Sequence, residues 1–268
     1  MIKLGSWWKI KVDSVIILLE NELKLKLQES WDNSGLQIGD RNDDISNIML
    51  TLDIDSNAVD YAVNNNIELI ITHHPFLFSN IKSIDYNTYE GKLIRKLIIN
   101  NINLYSMHTN FDMADMGVNQ KLAEKLNILN YDVLHVVNRD LSGYGGVGNI
   151  ERINIIKYAK EVKSKLSAEH IKLYCNDNER TIERVAFCGG SGSEFIEDAI
   201  NKNADVYITG DIKYHQAQSA LQNNLCIIDA GHYNTEYHSL ENIKNILSRT
   251  NELNVMFLEK NTVEEQII

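Results

Sequence analysis

The stretch IMLTLDIDSNAVDYAVNNNIELIITHHP, residues 48–75, decides the fold. Residues 48–53 and 69–72 are runs of aliphatic and β-branched residues typical of buried strands, and residues 56–65 have the apolar spacing of a helix. Strand, helix and strand in this order predict a βαβ unit with two parallel strands. We therefore predict an α/β protein.

The same order of segments returns later in the chain. Residues 184–188 and 206–209 repeat the two strands, with a glycine-rich turn and a helix over residues 194–203 between them. An offset of 137 residues pairs Ala62 with Ala199, Val63 with Ile200, Asn64 with Asn201, Asn66 with Asn203, Glu68 with Asp205, and Thr72 with Thr209. A second offset, of 124 residues, pairs His108 with His232 and Asp112 with Glu236.

These offsets predict two related α/β halves that face a shared cleft, because open α/β sheets bind ligands at the carboxyl ends of their strands. The alternative is a coincidence between two ordinary βαβ units. We expect a first half over residues 1–118, a connecting segment over 119–182 and a second half over 183–268, unless the chain packs as a single compact domain. The connecting segment contains a predicted helix at 119–126, a glycine-rich turn at 143–148 and a Lys-rich helix over 154–166.

Composition excludes several classes of protein. A net charge of −11 over 268 residues disfavours a general nucleic-acid surface, which needs clustered Lys and Arg. The apolar run at residues 15–19 is too short to span a membrane and is predicted to lie in the first helix. Three cysteines without a CxxC pair favour neither a disulfide framework nor a thiolate zinc site, so we expect a reducing, cytoplasmic location.

Two adjacent histidines, His73 and His74, follow the apolar strand at residues 69–72 and precede Pro75, the only proline. Successive side chains of a strand point to opposite faces. Such a pair is therefore better placed to bind two neighbouring metal ions than to chelate one. The alternative is a polar strand end with no ligand role.

Two further segments place a histidine and a carboxylate four residues apart after a strand. They are residues 108–112 (HTNFD) and residues 232–236 (HYNTE). Imidazole and carboxylate together suit Zn²⁺, Fe²⁺ or Mn²⁺, and a carboxylate can bridge two cations. The alternative for each acidic residue is a stabilising position in the first turn of a helix.

Five motifs together resemble the NIF-three-like family, whose members are named GTP cyclohydrolase I type II homologues. They are WDNSGLQIG (31–39), IITHHP (70–75), HTNFD (108–112), GDIKYH (210–215) and GHYNTE (231–236). The resemblance spans nearly the whole chain in the order of the family. It implies the NIF-three-like fold, a toroidal homohexamer, and two adjacent metal ions. The ligands that it implies are His73, His74, Asp112, His232 and Glu236. Longer members carry an inserted middle domain, for which the connecting segment is too short.

Weaker candidates surround this set. His215 or His108 can transfer a proton, and Lys213 can meet an anionic substrate. Asp211 can support a metal ligand or cap the following helix. Trp31 begins a segment that reads as an exposed turn or as a stacking platform, and residues 189–193 read as a phosphate-binding loop or as a tight strand-to-helix connection.

The function predicted from these residues is that of a metal-dependent hydrolase, either GTP cyclohydrolase-like or a phosphoesterase, acting on a small molecule. Two neighbouring cations can activate water and polarise the bond that it attacks. If the resemblance extends to activity, the substrate is a purine nucleotide. The alternative is a non-enzymatic, oligomeric metal-binding regulator, metal chaperone or adaptor, because a fold and a metal site do not fix a reaction.

Overall fold

The chain folds into two compact units in the computed structural model, which describes residues 9–25, 28–138, 142–250 and 252–263. The first unit comprises Met1–Phe111 and Leu240–Ile268, and the second comprises Asp112–Ser239. This division differs from the expected boundaries at residues 118 and 182. The segment over 119–182 belongs to the second unit, and the C-terminal residues return to the first.

The helices and strands up to residue 112 follow the predicted alternation. In chain order they are β1 (Ile10–Lys11), α1 (Val12–Glu22), β2 (Gly35–Ile38), β3 (Asp44–Ile45), β4 (Asn47–Thr51), α2 (Ser56–Asn64), β5 (Leu69–Thr72), α3 (Tyr89–Ile99), β6 (Asn103–Ser106) and α4 (Thr109–Asp112).

The rest of the second unit adds six strands and five helices within the described residues. They are α5 (Val118–Leu126), β7 (Tyr131–Val136), β8 (Gly143–Asn154), α6 (Ile155–Lys165), β9 (Lys172–Tyr174), β10 (Thr181–Phe187), α7 (Ile196–Asn201), β11 (Val206–Thr209), α8 (Tyr214–Gln222), β12 (Cys226–Asp229) and α9 (His232–Glu236). Short 3₁₀ turns lie at Ser193–Phe195 and Tyr237–Ser239.

The first unit is built on a five-stranded sheet. The chain returns to it through α10 (Leu240–Leu247) and β13 (Asn254–Phe257). The strand order is β13-β4-β5-β6-β2, and every neighbouring pair is parallel except β2 with β6. β13 forms backbone hydrogen bonds with β4 on the side opposite β5. This pairing satisfies an edge of the sheet that would otherwise be open.

The second unit is built on a six-stranded sheet in the order β7-β8-β10-β11-β12-β9. Its central strands β10, β11 and β12 are parallel, and β8 and β9 flank them in the antiparallel direction. The two outer strands on one side and β9 on the other come from the predicted connecting segment. That segment therefore extends the sheet of the second unit.

The predicted internal repeat is confirmed as two related α/β units. Ile48 pairs with Leu69 across β4 and β5, and Val185 pairs with Val206 across β10 and β11, in the register that the 137-residue offset requires. The turns before β5 and β11 also match. They contain Asn66 with φ +53° and Asn203 with φ +55°, the left-handed conformation that Asn tolerates better than most residues.

One predicted turn is wrong. Residues 143–148 lie within strand β8. Their glycines serve packing, because a Cβ on Gly146 would lie 2.3 Å from the ring of Phe187, and one on Gly148 would lie 2.5 Å from the carbonyl oxygen of Asn130. The described residues contain no helix that is both long enough and apolar enough to cross a membrane.

Candidate metal centre

His73 and His74 lie directly after β5, at the carboxyl end of the first sheet, and their ring centroids are 4.9 Å apart. His73 is buried, and its Nδ1 lies 2.7 Å from the main-chain oxygen of Met107. A carbonyl oxygen only accepts hydrogen bonds, so Nδ1 carries the ring proton. In this tautomer Nε2 carries the lone pair that a metal ion binds.

His74 and His108 are held in the same way, but by carboxylates. The Nδ1 of His74 lies 2.7 Å from Oδ1 of Asp53, and the Nδ1 of His108 lies 2.8 Å from Oδ1 of Asp32. One ligand nitrogen from each of His73, His74 and His108 lies within 4.8 Å of the other two. The first unit therefore gathers three imidazoles at the ends of β5 and β6.

Asp32 is the most strongly held of these carboxylates, and its side chain is fully buried. Its Oδ2 accepts hydrogen bonds from the amide and the hydroxyl of Thr109 and from the hydroxyl of Ser34. Burial alone raises the pKa of Asp32, but the bonds from His108, Thr109 and Ser34 hold it well below its usual range. These hydrogen bonds thus favour the ionised form of Asp32 beside His108.

In the second unit, His232 and Glu236 lie on one side of α9, four residues apart. The His232 Nε2 is 3.1 Å from Oε2 of Glu236, and its Nδ1 is 2.7 Å from Oδ2 of Asp211. Burial lowers the pKa of His232, but the carboxylates of Glu236 and Asp211 raise it by a larger amount, so the pKa is raised to about 11. The ring is therefore a cation between two anions.

Gly190 leaves room for this pair. A Cβ at Gly190 would lie 2.1 Å from Oε1 of Glu236 and 3.3 Å from Nε2 of His232. Asp112 is the last residue of α4. Burial is the main cause that raises the pKa of the Cys188 thiol, and the negative charges of Asp112 and Glu236 raise it as well, so both carboxylates lie close to Cys188. The second unit thus brings Asp112, His232 and Glu236 to one region.

The weaker candidates separate in the structure. Asp211 binds His232, and the N-cap of α8 is Lys213, so the capping alternative for Asp211 is wrong. His215 is exposed on the first turn of α8, where its Nδ1 lies 3.5 Å from Oε1 of Gln218. Proton transfer by His215 stays a prediction.

The glycine-rich loop over residues 189–193 is a tight connection between β10 and the helical turn that follows. Its amides donate to side chains: Gly189 to Asn119, Gly190 to Thr235 and Gly192 to Thr209. These three donors already have acceptors, which argues against a phosphate-binding role for the loop.

Trp31 is 56% exposed and lies beside the first imidazole group, its ring centroid 6.0 Å from those of Phe78 and His108. Asn33 and Gln37 tie this segment to the main chain of Leu77. The segment is therefore a loop held by hydrogen bonds to Leu77. It also supplies Asp32, whose contact with His108 was not predicted from the sequence.

The donor atoms in each unit fit a divalent transition-metal ion. Imidazole nitrogens with an anchored Nδ1, accompanied by carboxylate oxygens, are the ligands that Zn²⁺, Fe²⁺ and Mn²⁺ share. In the second unit, Nε2 of His232 faces the carboxylate of Glu236. A metal ion bound by these two side chains would replace the proton on Nε2.

The fold and these side chains define an α/β protein made of two related units, with histidines and carboxylates positioned to hold a metal ion. The chain belongs to the Duf34/NIF3 (NGG1p interacting factor 3) family, whose model matches residues 10–263. A relative from Clostridium acetobutylicum, named GTP cyclohydrolase 1 type 2 homolog, is 35% identical over 237 residues, with 86% of this chain and 87% of the relative covered.

Two further comparisons agree with this assignment. A protein from Helicobacter pylori named GTP cyclohydrolase 1 type 2 is 36% identical over 225 residues, covering 84% of this chain and 86% of its own length. The crystal structure of the Staphylococcus aureus protein SA1388 matches with a TM-score of 0.87 and 28% identity, covering 97% of this chain and 99% of that chain. The resemblance predicted from the five motifs is confirmed.

Proposed function

We propose that this protein is a metal-dependent hydrolase that holds two divalent ions through His73, His74, Asp112, His232 and Glu236. The observation that carries the proposal is the common anchoring of the imidazoles. Each of them, like that of His108, is held at Nδ1 by an acceptor 2.7 to 2.8 Å away, so that Nε2 is the ring nitrogen presented to a ligand. The anchoring counts together with the clustering of these side chains, since His135 is anchored in a similar way but, within the described residues, belongs to no group that could share an ion.

The ions would supply Lewis-acid chemistry, activating water and polarising the bond that it attacks. We assign the accompanying proton transfer to His108, whose Nε2 accepts a proton while Asp32 remains ionised and stabilises the resulting imidazolium. This is the division of roles that a histidine and a buried aspartate have in other hydrolytic sites. His215 is the second candidate for proton transfer.

We propose that the substrate is a small molecule. The first candidate is a purine nucleotide. The names of the relatives from Clostridium acetobutylicum and Helicobacter pylori support this choice, because both refer to GTP cyclohydrolase. Phosphoesters come second, since two-metal sites commonly act on them. The amides of Gly189, Gly190 and Gly192 already have acceptors, so this loop is not our candidate for binding a phosphate group.

The deciding experiment is a turnover screen. Metal-depleted protein is reconstituted separately with Zn²⁺, Mn²⁺ and Fe²⁺ and assayed against GTP, other nucleotides and a panel of phosphoesters. We expect turnover that requires one of the metals and is lost in Asp112→Ala and in His108→Gln. Full metal loading without turnover on any compound would overturn the hydrolase proposal in favour of a regulator, metal chaperone or adaptor.

The assembly and the location follow the family resemblance. We propose a homohexamer, which light scattering coupled to size exclusion tests directly by giving about six times the mass of 30.6 kDa for the chain. A monomer would contradict it. We also propose a cytoplasmic, reducing location, which the three free cysteines support.

A further inference from the structure

We propose that Asp53 and Asp211, neither of which is in the ligand set, are positioning residues that orient His74 and His232 toward the metal ions, and that Asp32 orients His108, the proposed proton-transfer residue, in the same way. The inference rests on the proposed metal-binding function. It assigns a role to the WDNSG segment and to the first residues of GDIKYH that ligand motifs alone leave without one.

The three pairs share a topological origin. Asp53 follows β4 and His74 follows the adjacent parallel strand β5. Asp211 follows β11 and His232 follows the adjacent parallel strand β12. In each case neighbouring strands place the carboxylate and the imidazole side by side, because strands in a sheet lie about 4.8 Å apart.

The third pair uses the antiparallel edge of the first sheet. Asp32 precedes β2, and His108 follows β6, which pairs with β2. Since β2 runs opposite to β6, the residues before one strand lie beside the residues after the other. The same carboxylate and imidazole arrangement thus arises from two kinds of strand pairing.

A carboxylate at Nδ1 does two things for a metal-binding imidazole. It fixes the tautomer in which Nε2 binds the ion, and its negative charge makes Nε2 a stronger donor. His73 provides an internal comparison, because its Nδ1 meets the neutral carbonyl oxygen of Met107 and gains only the first effect. Of the three proposed ligand histidines, His74 and His232 therefore have both effects.

Two of the aspartates are themselves held by hydrogen bonds, and the third has an unusual backbone conformation. Asp53 accepts a hydrogen bond from the hydroxyl of Thr262, 3.1 Å away, and Asp32 has the bonds from Ser34 and Thr109 described above. Asp211 adopts φ +59°, a left-handed conformation that costs free energy for a residue with a Cβ. The hydrogen bonds to Asp53 and Asp32 restrict the orientations of the His74 and His108 rings.

The competing explanation is that these pairs are ordinary ion pairs that stabilise the fold. The second unit contains a matched control, the pair His135 and Asp198, in which Nδ1 lies 2.9 Å from Oδ2. Within the described part of the chain, neither residue belongs to a group close enough to share an ion. Asp198→Asn therefore removes the same interaction without touching the proposed ligands.

The test measures metal affinity rather than activity. Zn²⁺ and Mn²⁺ binding to the full-length wild type, Asp53→Asn, Asp211→Asn and Asp198→Asn is measured by competition with a chromophoric chelator, after circular dichroism has shown each variant to be folded. We expect affinity to fall by about 10- to 100-fold in Asp53→Asn and Asp211→Asn and to stay within twofold of wild type in Asp198→Asn.

A second readout reports orientation directly. Long-range ¹H–¹⁵N spectra of the metal-free protein should show His74 as a single tautomer with Nδ1 protonated, and Asp53→Asn should mix the tautomers, because an amide can donate as well as accept. Unchanged affinity and an unchanged His74 tautomer would overturn the positioning role while leaving the metal site intact. Failure of the wild type to bind any metal would instead overturn the proposed function.

Discussion

Glu68 and Asp205 make the same pair of main-chain hydrogen bonds at equivalent positions of the two units. Oε2 of Glu68 accepts from the amides of residues 46 and 47, at 2.7 and 3.1 Å, and Oδ2 of Asp205 accepts from those of residues 183 and 184, both at 2.9 Å. All of these positions are related by the 137-residue offset. Each carboxylate thus ties the turn before one parallel strand to the neighbouring strand.

Replacing either carboxylate should destabilise its unit. Asp205→Asn and Glu68→Gln each weaken two charge-assisted hydrogen bonds and an ion pair, with Arg180 or Lys9, and should lower the free energy of unfolding by about 1 to 3 kcal/mol at pH 7. Urea denaturation followed by circular dichroism measures the loss. The control is Glu151→Gln, an exposed carboxylate, which should change stability by less than about 0.5 kcal/mol.

The same two residues predict how the effect depends on pH. Burial raises the pKa of each carboxyl, but the amide hydrogen bonds and the neighbouring cation together lower it by a larger amount. Both pKa values therefore lie below the ordinary range. Their contribution is therefore complete above the ordinary pKa of about 4 and is lost as the pH falls through the folded-state value. The difference in stability between wild type and Asp205→Asn should shrink below pH 4. A difference that grew in acid would contradict this assignment.

Metal content tests the proposed ligand set. Wild-type protein reconstituted with Zn²⁺, Mn²⁺ or Fe²⁺ should retain close to two ions per chain, and the double variant His73→Ala, Glu236→Ala should retain far less, because one imidazole and one carboxylate are lost. Elemental analysis after gel filtration gives the ratio. His135→Ala is the control and should keep the wild-type content. A ratio near zero for all three metals in the wild type would refute the metal centre.

Gly190→Ala should lower the metal content, because Gly190 lies against a proposed ligand, Glu236. The new Cβ would lie 2.1 Å from Oε1 of Glu236, so the carboxylate must move away, and metal content should fall. Gly145→Ala is the control, because Gly145 has nearly the same φ, +64° against +65°, and its Cβ would meet Phe187, Cys188 and Leu134 but no proposed ligand. Both variants should lose stability, and only Gly190→Ala should lose metal. Equal metal loss in both would point to a general effect of misfolding.

The three cysteines should differ in reactivity. Cys188 and Cys226 are buried, and this burial is the main cause that raises the pKa of both thiols, that of Cys226 to about 12. Because the thiolate is the reactive form, only the half-buried Cys175 should react quickly with iodoacetamide in the native protein. Mass spectrometry should show one fast adduct, absent in Cys175→Ser, and three adducts in urea. Fast labelling of Cys188 would contradict the burial of that thiol.

Sequence alone was sufficient wherever the information is local. The βαβ pattern at residues 48–72 and its repeat predicted the central strands of both sheets, since strand and helix periodicity is encoded in neighbouring residues. The motif HTNFD likewise predicted a carboxylate one turn after a histidine. Those predictions needed no knowledge of which strands become neighbours.

Features that depend on distant strand pairing escaped prediction. Asp32 and His108 are 76 residues apart in sequence, and Asp53 and His74 are 21 apart, so nothing local indicates that they meet. The return of β13 to the first unit has the same cause, because it depends on an open edge at β4. The glycines at 143–148 misled for a different reason: glycine marks close packing of strands as well as turns.

The anchoring of each imidazole by its neighbouring strand has a consequence for how metal is acquired. All four anchors are made by the chain's own atoms, so the histidines are oriented as soon as the sheets have formed. Metal uptake should then be rapid and reversible, with no coupled folding step, unlike that of small zinc domains that fold only around their ion. Chelation should remove the proposed ions without melting the protein, and reloading should need no refolding step.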